Sequence, residues 1–406
     1  MNTSTVPKSS ASLPAPLPAA ARMVFAFLSR LQHGSLHVRL PDGRDRHFGQ
    51  GLPHASMALH NWKPCAAALQ RGDVGFAEGY LDGDWTTPCL PSLLALLLEN
   101  RRALDSLVYG GRVRRWLGRL RHLLNRNTRR GSRRNIHAHY DLGNAFYRLW
   151  LDDSMNYSSA LFAGDFEQPM EQAQAAKVRR TLSMAGATRG SRVLEIGCGW
   201  GALAECAVTE FGARLTGVTL STEQLAYAAE RLAACDGEGL AQLRLQDYRD
   251  IDDGPYDAIC SVEMVEAVGR EYWPVYFAKV AQLLRSGGRA CIQSIVIDDA
   301  LWERYINGTD FIQQYIFPGG CLPCPREFKA QAEAAGLRVI DSYSFGADYA
   351  ETLRRWRLRF AGRRAEVHRL GFDERFMRLW DFYLCYCEAA FTGRDIDVVQ
   401  YTLQKP

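Results

Sequence analysis

The stretch Val193-Leu194-Glu195-Ile196-Gly197-Cys198-Gly199-Trp200-Gly201 constrains the fold more than any other part of the chain. An apolar run ends in an acidic residue and opens into a glycine-dense turn, after which Ala202, Leu203, Cys206, Ala207 and Phe211 recur on one face of a helix. A buried strand that feeds a helix through such a turn is the first crossover of a doubly wound α/β sheet, where a nucleotide-like cofactor lies against backbone. Glycine is needed because a side chain would meet the ligand and because the tight turn requires φ > 0. The spacing Glu-x-Gly-x-Gly-x-Gly differs from the Gly-x-Gly-x-x-Gly of a dinucleotide site, which presents a helix N-terminus to a pyrophosphate. A glycine-rich turn alone is often no more than a tight connection; the strand before this one makes it read as a cofactor site.

The alternation continues downstream. Arg192–Ile196, Arg214–Leu220, Tyr256–Val262 and Gly288–Ile297 read as strands, with helices at Gln224–Ala234 and Tyr272–Leu284, which predicts a mostly parallel sheet covered on both sides over residues 135–406. Residues 298–335 interrupt the pattern with an aromatic insertion that reads as a lid, and the C-terminal stretch reads as helical and rich in Arg and aromatics. With 406 residues the chain exceeds one typical domain. Residues 1–21 are Ser/Pro/Ala-rich and expected to be disordered, and 22–108 read as a smaller α+β domain. In the latter, Ser35–Leu40 and Arg44–Phe48 flank the hairpin signal Pro41-Asp42-Gly43. Trp62–Gln70 and Pro91–Leu98 read as helices joined by the aromatic-rich run from Gly75 to Trp85.

The net charge of +4 conceals a strong asymmetry. Between Arg112 and Arg134 there are arginines and no acidic residue, while Val113, Trp116, Leu117, Leu120, Leu123 and Leu124 recur at helical spacing. Residues 109–134 are therefore expected to form a basic amphipathic helix. Such a helix can lie in a bilayer interface with its arginines on anionic head groups. A solvated linker helix is the plainer alternative, and a nucleic-acid contact a weaker one. No apolar run reaches the roughly 18–20 residues of a membrane span, and the short run Met23–Leu28 is too late for a secretory signal. Eleven scattered cysteines argue against a disulfide framework and fit a reducing cytoplasm. Cys321-Leu322-Pro323-Cys324 has zinc-knuckle spacing but lacks a second Cys or His pair, and Cys385 and Cys387 are separated by one residue, so no metal site is expected.

The glycine turn resembles motif I of S-adenosylmethionine-dependent methyltransferases, whose cofactor has no phosphate to hold. Several segments together resemble the cyclopropane fatty-acyl-phospholipid synthase family, which includes mycolic acid cyclopropane synthases. They are His139-Tyr140-Asp141-Leu142-Gly143-Asn144 with Met155-Asn156-Tyr157-Ser158-Ser159-Ala160; Glu195–Gly201; Gly217-Val218-Thr219-Leu220-Ser221 with Gln224; Gln246-Asp247-Tyr248-Arg249; Glu263-Met264-Val265-Glu266-Ala267-Val268-Gly269; and Tyr315-Ile316-Phe317-Pro318-Gly319-Gly320-Cys321-Leu322-Pro323. The stretch before Tyr109 is similar to the N-terminal lipid-binding domain of full-length bacterial members. The resemblance implies a Rossmann-like class I methyltransferase fold, unsaturated phospholipid acyl chains as substrate, a peripheral position on an anionic membrane surface at the cytoplasmic face, and a homodimer. It also implies that S-adenosylmethionine is held by Tyr157, Ser158, Glu195, Gly197, Gly199, Gly201, Thr219, Ser221, Gln224 and Tyr248. The second strand ends in Thr-Leu-Ser where many methyltransferases carry an acid, so Gln224 is the better partner for the ribose. Tyr248 would flank the adenine and Asp247 its amino group. For any one Tyr or Thr, simple packing is the bland reading.

An unactivated alkene is a poor nucleophile, and adding a methyl cation to it leaves a carbocation in the acyl chain. The site must then be dry, aromatic-rich and negatively charged, and it must hold a base. Proton loss from the added methyl closes a cyclopropane; loss from a neighbouring carbon, or after a hydride shift, leaves a methylated or methylene chain. Well-studied family members hold bicarbonate as that base, through a Cys, a Glu, a His, an amide near an Ile, and a Tyr. By resemblance the Glu is Glu266, the Ile is Ile295 and the Tyr is Tyr349, while Ser159 stands at the Cys position, Gln293 at the His position and Glu263 at a Gly position. Ser and Gln still donate to an oxyanion, so bicarbonate remains an expected ligand. Glu263 reads either as functional or as a surface or supporting carboxylate. The leading expectation is cyclopropanation of a phospholipid acyl chain; C-methylation giving a methyl-branched or furan-precursor chain is the alternative, followed by small-amine N-methylation and by a catalytically inactive lipid-binding protein.

Overall fold

The computed structural model describes residues 16–101 and 142–406. The expected basic helix at 109–134, residues 1–15, and His139, Tyr140 and Asp141 lie outside these ranges.

The first unit is a four-stranded sheet, ordered β2-β1-β3-β4, made of β1 (Ser35–Arg39), β2 (Asp45–Gly49), β3 (His54–Leu59) and β4 (Trp85–Thr86). The hairpin pairs β1 and β2 antiparallel, and β3, which the sequence reading did not single out, runs parallel to β1. Leu36 and Val38 point inward in alternation, with β3 contributing Met57 and Leu59. The helix expected at Trp62–Gln70 runs on as Lys63–Leu81, so the aromatic-rich run is mostly helical rather than a joining loop. Glycines in that run lower its intrinsic helix propensity, and tertiary packing overrides it: Phe76 stacks on the buried Trp85 at 4.3 Å, and the Trp85 indole donates to the Phe76 carbonyl at 2.9 Å. The one break is at Gly72, whose φ of 59° bends the helix.

The second unit carries a seven-stranded sheet, ordered β10-β11-β9-β8-β5-β6-β7. Its members are β5 (Arg192–Ile196), β6 (Arg214–Thr219), β7 (Ala241–Leu245), β8 (Tyr256–Val262), β9 (Leu284–Ile297), β10 (Arg338–Ser344) and β11 (Ile396–Gln404). Strands β5 to β9 are parallel, and the central ones are almost continuously buried, as sheets covered on both faces require. The chain departs from the expected helical ending at β11, which slots antiparallel between β9 and β10. Winding goes outward from β5 through β6 and β7, then returns to β8 and β9 on the other side. The order therefore reverses between β5 and β8, and a crevice opens beyond their carboxyl ends.

Apolar packing joins the two units: one buried cluster includes Leu36, Trp85 and Leu93 from the first and Trp150, Trp380 and Phe382 from the second. Helix Glu374–Thr392 lies at the seam, where Tyr80 donates to Asp381 at 2.8 Å. Tyr315, from the expected lid, donates to Glu78 at 2.6 Å. The segment 298–335 is folded down as three short helices, Trp302–Tyr305, Phe311–Tyr315 and Pro325–Ala334.

Candidate active site

A single cavity of about 490 Å³ begins at the β5/β8 crevice and reaches the interior of the four-stranded sheet. Its cofactor end is lined by Tyr157, Ser158, Glu195, Gly197, Gly199, Thr219, Gln224 and Tyr248. The other three expected contacts, Gly201, Ser221 and Asp247, do not line it. Ser221 instead caps helix Thr222–Ala233, accepting from the Gln224 amide at 3.3 Å. Gly201 packs against Ala228, and Asp247 is held by Arg249 in a paired contact of 2.9 and 2.6 Å.

The cofactor end fits S-adenosylmethionine on two counts. Glu195 closes β5 with its Oε2 buried and without a hydrogen-bond partner, an acceptor suited to a hydroxyl or ammonium donor. Gly199 adopts φ +50°, and a Cβ there would project into open space, so a ligand can approach the backbone closely. Burial pushes the Glu195 carboxyl up to about 8, moderated by the nearby Lys177 charge. Lys177 itself was not anticipated. It sits on the buried face of helix Met170–Ala185, donating to Ser158 Oγ at 2.7 Å and Asn156 Oδ1 at 3.1 Å. Burial lowers its ammonium to about 8 against the pull of Glu263, Asp152 and Glu195.

Beyond the cofactor end, the wall becomes aromatic, with Tyr157, Phe317, Tyr349, Tyr383 and Phe391. Tyr157 and Tyr383 share a hydrogen bond of 2.7 Å. Here stand two buried carboxylates. Glu266, on the short helix Val265–Val268, accepts from the Ile295 amide and from Ser294 Oγ at 3.2 Å, while its Oε2 has no partner. Burial and the adjacent Glu263 charge push Glu266 up to about 8. Glu263 follows β8 directly and adopts φ +53°, the left-handed region that disfavours any residue with a Cβ. Its Oε1 accepts from the Ser159 amide at 3.0 Å and Gln293 Nε2 at 2.8 Å; its Oε2 accepts from the Tyr349 hydroxyl at 2.7 Å.

Each donor is itself positioned. Asp348 accepts from the Phe162 and Ala163 amides at 2.7 and 2.9 Å and Thr352 from the Ala160 amide at 3.1 Å, so helix Gly346–Gly362 holds both the Ser159 loop and Tyr349. Gln293 Oε1 accepts from Gln400 on β11 at 3.0 Å, which turns the Gln293 amide nitrogen toward Glu263. Ser159 takes part through its backbone, since its hydroxyl donates to the Ala160 carbonyl at 2.9 Å. The exchange of Cys for Ser is thus neutral for this contact. Ser159 and Gln293 stand behind the cavity wall, and Glu266, Ile295 and Tyr349 on it.

The far end of the cavity is apolar, lined by Val24, Phe25, Leu28, Leu36, Val38, Met57 and Leu59. Each methylene buried there contributes roughly 0.8 kcal/mol, so the compartment suits a long hydrocarbon. Among the described residues no helix is long and apolar enough to cross a membrane, and no group of three or more His, Cys, Asp or Glu is placed to hold a metal.

Residues 127–401 match the family model for mycolic acid cyclopropane synthetase. The chain is 40% identical over 401 residues to the tuberculostearic acid methyltransferase UfaA1 of Mycobacterium tuberculosis, covering 96% of this chain and 92% of that one. It is 35% identical over 344 residues to the cyclopropane-fatty-acyl-phospholipid synthase of Escherichia coli K12, covering 83% and 84%. The crystal structure of mycolic acid cyclopropane synthase CmaA1 complexed with SAH and CTAB is similar with a TM-score of 0.63 at 30% identity, over 67% of this chain and 98% of that one.

Proposed function

This chain belongs to the mycolic acid cyclopropane synthetase family, and we propose that it closes the double bond of an unsaturated phospholipid acyl chain to a cyclopropane. It is an S-adenosylmethionine-dependent methyltransferase with a class I α/β fold, and its chemistry is methylation or cyclopropanation of lipid acyl chains. The observation that carries the finer reading is the placement of Glu263, Glu266 and Tyr349 at the junction between the cofactor end and the apolar end of one cavity.

When bound, S-adenosylmethionine supplies a methyl group on a positively charged sulfur, the electrophile that an alkene needs. Glu195, the backbone at Gly197 and Gly199, Thr219, Gln224 and Tyr248 would hold it, with Tyr157 and Ser158 closing over it. The apolar end aligns the acyl chain so that its double bond lies at the junction, and the aromatic wall excludes water and faces the carbocation with ring π-clouds. The buried carboxylates oppose that positive charge, in a cavity where low polarity strengthens the attraction. Ring closure is redox-neutral and needs only a base; a saturated methyl branch needs a hydride equivalent as well.

A second reading, an exomethylene or methyl-branched product, is favoured by the 40% identity to the tuberculostearic acid methyltransferase. Mass spectrometry of lipids from cells expressing the protein and fed methionine with a deuterated methyl group separates the outcomes. A saturated ring product that keeps two of the three deuterons is expected. A product with the same label count that takes up hydrogen over a mild catalyst is the exomethylene chain, and one that keeps all three is a methyl-branched alkene. Unlabelled lipids would sink the acyl-chain reading in favour of a small amine.

Access to a phospholipid places the protein on a membrane surface, and the arginines between Arg112 and Arg134 are the matching charge. Sedimentation with anionic vesicles is expected, weakening as added salt shortens the screening length. Equal binding to neutral vesicles would remove the electrostatic part.

A further inference from the structure

Bicarbonate, the base that the family resemblance implies, does not fit this site. Its expected donors are already committed. The Ser159 amide, the Gln293 side chain and the Tyr349 hydroxyl, from three separate elements, all donate to the Glu263 carboxylate, and the Ile295 amide donates to Glu266. A free anion would enter beside two buried carboxylates with those donors taken, which burial makes costly. The side chain that displaces it is held under strain: Glu263 occupies φ +53°, where a glycine would be comfortable, and its backbone amide is fixed to the Gln293 carbonyl at 2.8 Å. A strained, buried, triply bonded carboxylate on the cavity wall is an observed outlier of the kind that points to function.

We propose that Glu263 is the built-in catalytic base of this enzyme, its carboxylate standing where relatives use a dissociable ion, so that turnover needs no bicarbonate. The step balances within the site. The alkene π-pair forms a C–C bond to the methyl carbon as the C–S bond breaks, leaving a neutral thioether and a cation on the adjacent chain carbon. Glu263 then takes a proton from the added methyl through Oε2, which carries one hydrogen bond and keeps a free lone pair. The released C–H pair closes the ring onto the cationic carbon, or forms a double bond where a hydride shift has come first. Glu263 returns its proton to solvent before the next turnover. Gln293 acts as a positioning residue, oriented by Gln400.

This inference rests on the acyl-chain reading, and the test keeps the two apart. The wild-type protein, Glu263→Gln and Glu263→Gly are assayed on vesicles of unsaturated phosphatidylglycerol with labelled S-adenosylmethionine, in carbonate-free buffer and with added bicarbonate. Wild-type turnover should be the same in both buffers. Glu263→Gln should lose about 100-fold in turnover while binding S-adenosylmethionine as the wild type does by calorimetry. Glu263→Gly relieves the strained φ and so should remain folded; it should be inactive in carbonate-free buffer and recover when bicarbonate fills the vacated space. A wild-type enzyme that requires bicarbonate, or a Glu263→Gln variant that turns over at the wild-type rate, overturns the proposal and leaves the acyl-chain reading standing. A wild-type enzyme that labels no lipid overturns both.

Discussion

Glu266→Gln is expected to lower kcat by about three orders of magnitude while the affinity for S-adenosylmethionine changes by no more than about threefold. Glutamine keeps the size of the side chain and an acceptor for the Ile295 amide and Ser294 hydroxyl, so the substitution isolates the charge. Burial and the Glu263 charge raise the Glu266 carboxyl to about 8. A positive charge that develops beside it on the acyl chain favours the ionised form and draws that value down. Two unit charges about 4 Å apart at an effective dielectric of ~20 attract by about 4 kcal/mol, which corresponds to roughly a thousandfold in rate. The measurement is single-turnover transfer of labelled methyl to vesicle lipid, paired with a calorimetric titration of the cofactor. Unchanged turnover would take the charge out of the mechanism, and a matching loss of cofactor affinity would make Glu266 a cofactor ligand.

Gly199→Ala should cut the affinity for S-adenosylmethionine by about 100-fold, a loss of about 3 kcal/mol, with a melting temperature only a few degrees lower. The two effects have separate causes. A Cβ at Gly199 meets no protein atom within 4 Å, so the native packing tolerates it. The φ of +50° costs an alanine roughly 1–2 kcal/mol of stability. The added methyl instead enters the space the cofactor would fill and holds the ligand away from the backbone. Gly197 is a contrasting control, because a Cβ there would lie 2.5 Å from the Met264 side chain and disturb the fold as well. Equal cofactor affinity in Gly199→Ala and wild type would place the cofactor elsewhere in the cavity.

Much of the architecture was legible because its signals are local. β5, the glycine turn and helix Ala202–Thr209 show in apolar runs, a turn composition and a helical stripe, each within about ten residues of chain. The parts that were missed depend on distant partners. β11 reads as the end of a helical region, yet Val398, Val399, Tyr401 and Leu403 are buried because β9 and β10 flank the strand. The run from Phe76 to Leu81 is glycine-dense and becomes helix because Trp85 and helix Glu374–Thr392 pack on it. Lys177 and Gln400 carry no motif; their burial beside Ser158 and Gln293 shows only once the helix lies against the sheet.

The sequence by itself determined the glycine turn after β5 and the alternating α/β order, because each is written in residue type and short spacing, while the acids Glu263 and Glu266 were singled out through the family resemblance. Only the tertiary structure decided which groups surround those acids. Glu263 reads either as functional or as a surface or supporting carboxylate until the Ser159 loop, β9 and helix Gly346–Gly362 are brought together around it. The physical reason is that a carboxylate's role is set by the donors and the dielectric around it. Here those come from chain segments separated by 30, 86 and 104 positions, whose meeting no local pattern records.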